Sequence, residues 1–182
     1  MNYVALLRGI NVGGNKKVEM KRLKGVFEEH GCTDVSTYIN SGNVIFASSL
    51  SKAVLMEQVS KWIEDAFGFE VATLIKTQHE MKEIAAAIPS DWKNDEDHRT
   101  DVAYLFSEID HPQVIDDLPF VKAYIDVRYI PGALYWRSAR SNVMKSRMNK
   151  LIGHRLYKSM TMRNVNTARY LAEDQREVKF RK

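Results

Sequence analysis

The sequence predicts an α+β protein made of two successive β-α-β-β-α-β units. Three observations carry that prediction. Apolar residues in the first 88 positions alternate between strand and helix spacing in that order. A polar stretch then interrupts the pattern at residues 89–100. The order of elements returns over residues 101–182, although the residues themselves do not repeat.

Tyr3–Leu7 is an apolar run that reads as a buried strand. A Gly/Asn-rich loop, Gly9–Asn15, follows it. Met20, Leu23, Val26, Phe27 and His30 recur at helical spacing, and Gly31 suits the C-terminal cap. Val35, Thr37 and Ile39 alternate as a strand, Asn40-Ser41-Gly42-Asn43 turns the chain, and Val44–Ala47 returns as a hairpin. Leu55, Val59, Trp62, Ile63 and Ala66 form the stripe of a second helix that stops near Gly68. Val71, Thr73 and Ile75 make a fourth strand, and Met81, Ile84, Ala85 and Ile88 a trailing helix closed by Pro89. This is the split-βαβ, ferredoxin-like pattern.

The reading is therefore two ferredoxin-like (βαββαβ) α/β-plait units in tandem, at residues 1–88 and 101–182, joined by a linker at 89–100. In the second unit Val102, Tyr104 and Phe106 start a strand, and His111-Pro112 opens a short helix carrying Val114, Ile115 and Leu118. Ile125, Val127 and Tyr129 pair with Leu134 and Trp136 across Pro131-Gly132. Met144, Met148, Leu151 and Ile152 read as a helical stripe, Ser159–Met162 as a closing strand, and Val165, Ala168, Leu171 and Ala172 as the last helix. Trp62 and Trp136 read as packing residues, and Trp92 as cover for a seam between the units.

Composition narrows the function classes. No apolar run approaches the ~20 residues that cross a bilayer, and the start, Met1 to Arg8, lacks the basic leader of a signal peptide. Cys32 is the only cysteine, which excludes an intrachain disulfide and points to a reducing cytoplasm. No membrane partner is expected. The net charge of +4 is unevenly spread: +5 over residues 8–24, −11 over 25–136 and +10 over 137–182. Cationic ends either pair with the acidic middle or offer a surface to anionic partners.

The loop Arg8-Gly9-Ile10-Asn11-Val12-Gly13-Gly14-Asn15-Lys16-Lys17 can present bare backbone N–H groups to an anion, with cations beside them. Gly9 and Gly14 have P-loop spacing, but Asn15 stands where the lysine belongs and Lys16 where the hydroxyl belongs, which argues against a P-loop hydrolase. The hairpin turn Tyr38 to Asn43 is rich in amides and hydroxyls, and such residues also suit a plain turn. Thr161 to Thr167 offers Arg163 as a fork for phosphate or as partner of a surface acid, with Asn164, Asn166 and Thr167 as competing helix caps. The five histidines lack zinc-type spacing, so no metal and no cofactor are expected. Cys32 reads as a small packing residue.

Arg8 to Gly14, Thr37 to Phe46, Leu134-Tyr135-Trp136 and Thr161 to Thr167 together resemble the bacterial family catalogued as domain of unknown function 1697. The resemblance runs nearly end to end, with Val165 where the family usually carries an aromatic. It implies two ferredoxin-like plaits in one chain and no established activity. The expected function is a cytoplasmic module that binds a phosphate-bearing ligand, a nucleotide or nucleic acid, at a cationic cleft. Its candidate residues are Arg8, Asn11, Gly13, Gly14 and Lys16 from the loop, Tyr38, Asn40, Ser41 and Asn43 from the hairpin, and Arg163, Asn164 and Asn166 from the last segment. The rival readings are an enzyme acting on a small anionic metabolite, with Arg8 and Arg163 clamping it and Tyr38 as acid or base, and a regulatory or protein-interaction module. Catalytic residues and oligomeric state are not specified by the sequence.

Overall fold

A computed structural model describes residues 1–14 and 16–173. Residues 174–182, which carry part of the basic C-terminal segment, lie outside the described residues, as does Asn15. The chain divides into two compact units, Met1–Met81 and the remainder from Lys82.

The first unit holds β1 (Asn2–Leu7), α1 (Met20–Glu29), β2 (Thr33–Tyr38), β3 (Asn43–Ala47), α2 (Lys52–Phe67) and β4 (Thr73–Thr77). Its four strands form one antiparallel sheet in the order β2-β3-β1-β4. Central β1 is apolar from Tyr3 to Leu7 and buried there on both faces, as an unbroken apolar run requires. Edge strand β2 is half exposed and carries a register shift between Thr33 and Ser36, where Asp34 sits at φ 51°; such irregularity blunts an open edge. Ile39 adopts φ 48° and belongs to the turn, not to the strand its alternation suggests.

Helices α1 and α2 cover one face of the sheet. Leu23, Val26 and Phe27 of α1 and Leu55, Val59, Trp62 and Ile63 of α2 are buried at helical spacing. Phe27 meets Phe46 edge-on at 4.9 Å and Trp62 at 6.1 Å. Ser51 Oγ accepts from Val54 N at 3.4 Å at the start of α2, and Gly68, at φ 80°, ends it.

A third helix, α3 (Gln78–Ala87), begins with a reciprocal cap that the residues Thr77-Gln78-His79-Glu80 spell out. Glu80 N donates to Thr77 Oγ1 at 3.1 Å, while Thr77 N and Thr77 Oγ1 donate to Glu80 Oε2 at 2.8 and 3.0 Å. Lys52 Nζ adds an ion pair to Glu80 Oε1 at 2.6 Å.

The second unit holds β5 (His98–Leu105), β6 (Asp126–Ile130), β7 (Ala133–Ala139) and β8 (Met160–Asn164), antiparallel in the order β6-β7-β5-β8. This is the order of the first sheet with every strand advanced by four. The expected linker at 89–100 is instead packed within this unit. Residues 98–100 already belong to β5, Thr100 Oγ1 donates to Lys93 O at 2.6 Å, and Trp92 lies buried against Tyr135 at 5.8 Å. The division between the units falls earlier, inside α3.

The expected helix at 111–118 is the 3₁₀ turn Pro112–Asp117 and much of the one at 144–152 is the 3₁₀ turn Met148–Gly153; further 3₁₀ turns span Ser107–Ile109, Lys122–Tyr124, Arg140–Asn142 and Arg155–Ser159. Between them α4 (Val143–Ser146) is a single turn, because Arg147 takes φ 58° and breaks the helical path. Of the stripe read there, Met148 and Leu151 are buried, whereas Met144 and Ile152 are exposed. Among the described residues after β5, only α5 (Val165–Ala172) is a regular helix longer than one turn, with Asn164 Oδ1 capping Thr167 N at 2.9 Å. The core gathers Ala103, Leu105, Leu134, Met160 and the fully buried Trp136, which Phe120 meets edge-on at 5.2 Å.

Glu80 supports a testable prediction. Burial alone would raise its carboxyl, but Lys52 and the Thr77 backbone and hydroxyl outweigh burial and hold it below the ordinary value. The folded pKa is thus the lower one, so its stabilisation is complete above the unfolded value of 4.5 and is lost as pH falls through the folded value. Urea denaturation of Glu80→Ala should show a loss of about 1–2 kcal/mol at neutral pH. Glu80→Gln should be less sensitive to acid than the parent chain.

Candidate functional site

The glycine loop leaves β1 and closes against the β2–β3 hairpin within the first unit. Leu7 N donates to Gly42 O at 2.8 Å, and Arg8 N donates to Ala72 O at 2.9 Å, so the sheet holds the exit of β1 on two sides. Gly42 is buried at φ 77°, and a Cβ there would lie 2.6 Å from Leu7 Cβ and 2.8 Å from Ile10 Cδ1. No side chain fits, so glycine is demanded by space and by conformation together.

Asn11 fastens the loop. Its φ of 56° is one that asparagine tolerates better than most residues. Its Nδ2 donates to Val18 O and to Asn40 O, both at 2.9 Å, and its Oδ1 accepts from Val18 N at 2.9 Å. One amide thereby closes the loop on its own far end and ties it to the hairpin turn. Lys16 Nζ donates to Glu70 O at 2.7 Å, which holds the loop beside β4. Within the turn, Asn43 Nδ2 donates to Tyr38 O at 2.9 Å and to Ser41 Oγ at 3.0 Å.

The result is a groove of about 560 Å³ lined by Asn11, Gly14, Lys17, Val18, Glu19, Met20 and Asn40. Of the sequence-predicted set, Asn11, Gly14 and Asn40 line it. Gly13 is exposed on the same loop, at φ 62°. Arg8 and Tyr38 are half-buried, and buried Asn43 braces the turn. Lys17, read as a cation beside the loop, also lines it, and Val18, Glu19 and Met20, which were not among the candidate site residues, complete the lining. The signal for them was present in the basic run after the glycines and in the start of α1, but it is Asn11, through its backbone N–H to Lys16 O at 3.2 Å and its side-chain bonds to Val18, that folds that segment back onto the loop.

The remaining predicted residues belong to the second unit. Arg163 is buried, with Nη1 donating to Thr161 Oγ1 at 3.0 Å and to Met162 O at 2.7 Å. Burial lowers its pKa to about 10, opposed by Tyr104. Burial pushes the Tyr104 phenol well above its ordinary range, opposed by Arg163, and the Tyr104 hydroxyl has no hydrogen-bond partner among the described residues. Asn164 is engaged as the α5 cap, and Asn166 is exposed on the first turn of that helix. Cys32 is buried, and burial raises its thiol despite a bond to Ser48. No helix among the described residues is long and apolar enough to cross a membrane.

These features define a mixed α+β protein of two units, each built on a four-stranded antiparallel sheet. The chain belongs to the DUF1697 family, proteins of unknown function, which it matches over residues 1–135. The glycine loop and the hairpin lie inside that match; the Arg163 segment lies beyond it. Among solved structures the chain is similar to that of a conserved bacterial protein, SP0830, from Streptococcus pneumoniae. The TM-score is 0.82 at 27% sequence identity, over 94% of this chain and 96% of that one. No curated protein matches it.

Two substitutions test the loop geometry. Gly42→Ala should cost about 3 kcal/mol of unfolding free energy, from overpacking against Leu7 and a disfavoured backbone. Asn11→Gly keeps the positive φ and removes the amide, and should cost about 2 kcal/mol by leaving the Val18 backbone unpaired. Chemical denaturation of both, beside the parent chain, measures these losses.

Proposed function

We propose that each unit is a ferredoxin-like α/β plait and that the groove of the first unit binds a phosphate-bearing ligand, a nucleotide or nucleic acid. The β-α-β-β-α-β order of the first unit and the shared strand order of the two sheets support the first statement. The observation that carries the second is the Asn11 tie, which sets an exposed glycine turn, the Asn40 amide and Lys17 around one groove.

Gly13 and Gly14 leave the backbone unshielded by side chains, as close approach of a phosphate requires. Lys17 is exposed and makes no ion pair among the described residues, so its charge is available. Among the described residues Glu19 is the one carboxylate in the lining, and it limits how much negative charge the groove accepts.

Titration of the full chain with a labelled single-stranded RNA and with ATP in low salt tests the reading. Lys17→Glu should weaken RNA binding and reduce the slope of log affinity against log salt by about one. Asn11→Gly should weaken both ligands. Absence of binding, or affinities indifferent to both substitutions, would overturn it.

A further inference from the structure

The second unit contains a cavity of about 620 Å³ beside edge strand β6 and the 3₁₀ turn Lys122–Tyr124. That volume falls in the range of small-molecule sites. Its apolar walls include Trp92, Ile115, Tyr124 and Val127, and its polar lining comes from His98, Lys122, Asp126, Arg137 and Ser138. The β5–β7 register, which sets Thr100 opposite Arg137 and His98 opposite Ala139, places His98 and Arg137 on one sheet face.

Arg137 is poised but under-used. Its side chain is 25% exposed, Nη2 lies 2.9 Å from His98 Nε2, and Nη1 lies 3.1 Å from Asp91 Oδ2. A guanidinium only donates, so His98 Nε2 is the acceptor, and the ring proton sits on Nδ1, 3.9 Å from Asp95 Oδ1. These two bonds use two of the five N–H donors of Arg137, which has no further partner among the described residues. Its one anionic partner among the described residues, Asp91, is 75% exposed, so water competes for that ion pair.

The other charges at the wall are already matched. Lys122 Nζ pairs with Asp116 Oδ1 at 2.9 Å, and Asp126 Oδ2 with Arg128 Nη2 at 3.0 Å. The Arg128 guanidinium lies 4.7 Å from the centre of the Trp92 ring and fixes the indole in place. Arg137, at 25% exposure against 65% for Lys122, is the less hydrated of the two lining cations, and Asp126 in the same lining disfavours a second negative charge on a ligand. We infer that this cavity binds a small monocarboxylate with an aromatic or branched apolar body. Its carboxylate takes the fork of Arg137 in place of Asp91, and its body packs on Trp92, which lies against Tyr135 on the same sheet face as Arg137.

Titration of the full chain with benzoate, followed by calorimetry and by tryptophan emission, tests the inference, with phenyl phosphate and benzyl alcohol as comparisons. Benzoate should bind at millimolar concentration or below, more tightly than either comparison compound. Asp91→Asn, which removes the competing anion, should tighten benzoate binding. Arg137→Met should weaken it by about 10- to 100-fold. Arg137→Lys, which keeps the charge without the fork, should also weaken it and serves if the methionine variant fails to fold. Trp92→Phe should abolish the emission change while calorimetric binding persists. Lys17→Glu should leave benzoate binding unchanged, which separates this site from the groove of the first unit. No benzoate binding, equal affinity for benzyl alcohol, or indifference to both Asp91→Asn and Arg137→Lys would overturn the inference.

Discussion

Everything distinctive about the first unit depends on how closely the exit of β1 approaches the hairpin turn at Gly42. The Leu7 amide reaches the Gly42 carbonyl at 2.8 Å, and Ile10 fills the space a side chain at 42 would need. That contact directs the glycine loop across the end of the sheet. Only then does the Asn11 amide reach both the Asn40 carbonyl and the backbone of Val18. Two residues with no charge therefore position the cations and bare backbone that a ligand would meet. Such an arrangement is rigid where it is buried and open where it faces water.

Much of the fold was legible in the sequence, because periodicity reports burial and burial decides secondary structure here. The stripes of α1 and α2, and the alternation in the strands, matched the elements within a few residues. The misreadings share a physical cause. Ile39 continues the alternation of β2, yet its backbone turns left-handed to serve the hairpin. Met144 and Ile152 extend a helical stripe, yet Arg147 at φ 58° sends them into solvent. Pattern reports what a side chain prefers, not where the backbone turns. The candidate site was legible as to its loops but not its lining, since nothing in residue spacing reveals that Asn11 folds Lys17 and Glu19 back toward Asn40. The pairing of His98 with Arg137 was hidden for a similar reason: it depends on strand register.

The two units reach one strand order by different local means. The first covers its sheet with two helices of ordinary length, held by apolar stripes and a glycine stop. The second does much of the same work with short 3₁₀ turns, whose poorer geometry rarely survives beyond a few residues without anchors. Asp110 is one such anchor: its Oδ1 accepts from Tyr129 Oη at 3.0 Å and from Gly132 N at 2.8 Å, pinning the β6–β7 turn to the segment before it. Short turns leave gaps that a continuous helix would fill. The hollow bordered by Trp92 and Arg137 lies beside one of them.

The left-handed backbone of Ile39 has a consequence for motion. A β-branched side chain in that conformation stores about 1–2 kcal/mol, and here the side chain is half exposed, so little packing offsets it. That energy is returned whenever the tip of the hairpin lets go. Amide protons at the tip should accordingly trade with solvent sooner than those of central β1, leaving the rim of the groove as the part of the first unit most readily reshaped by whatever settles there.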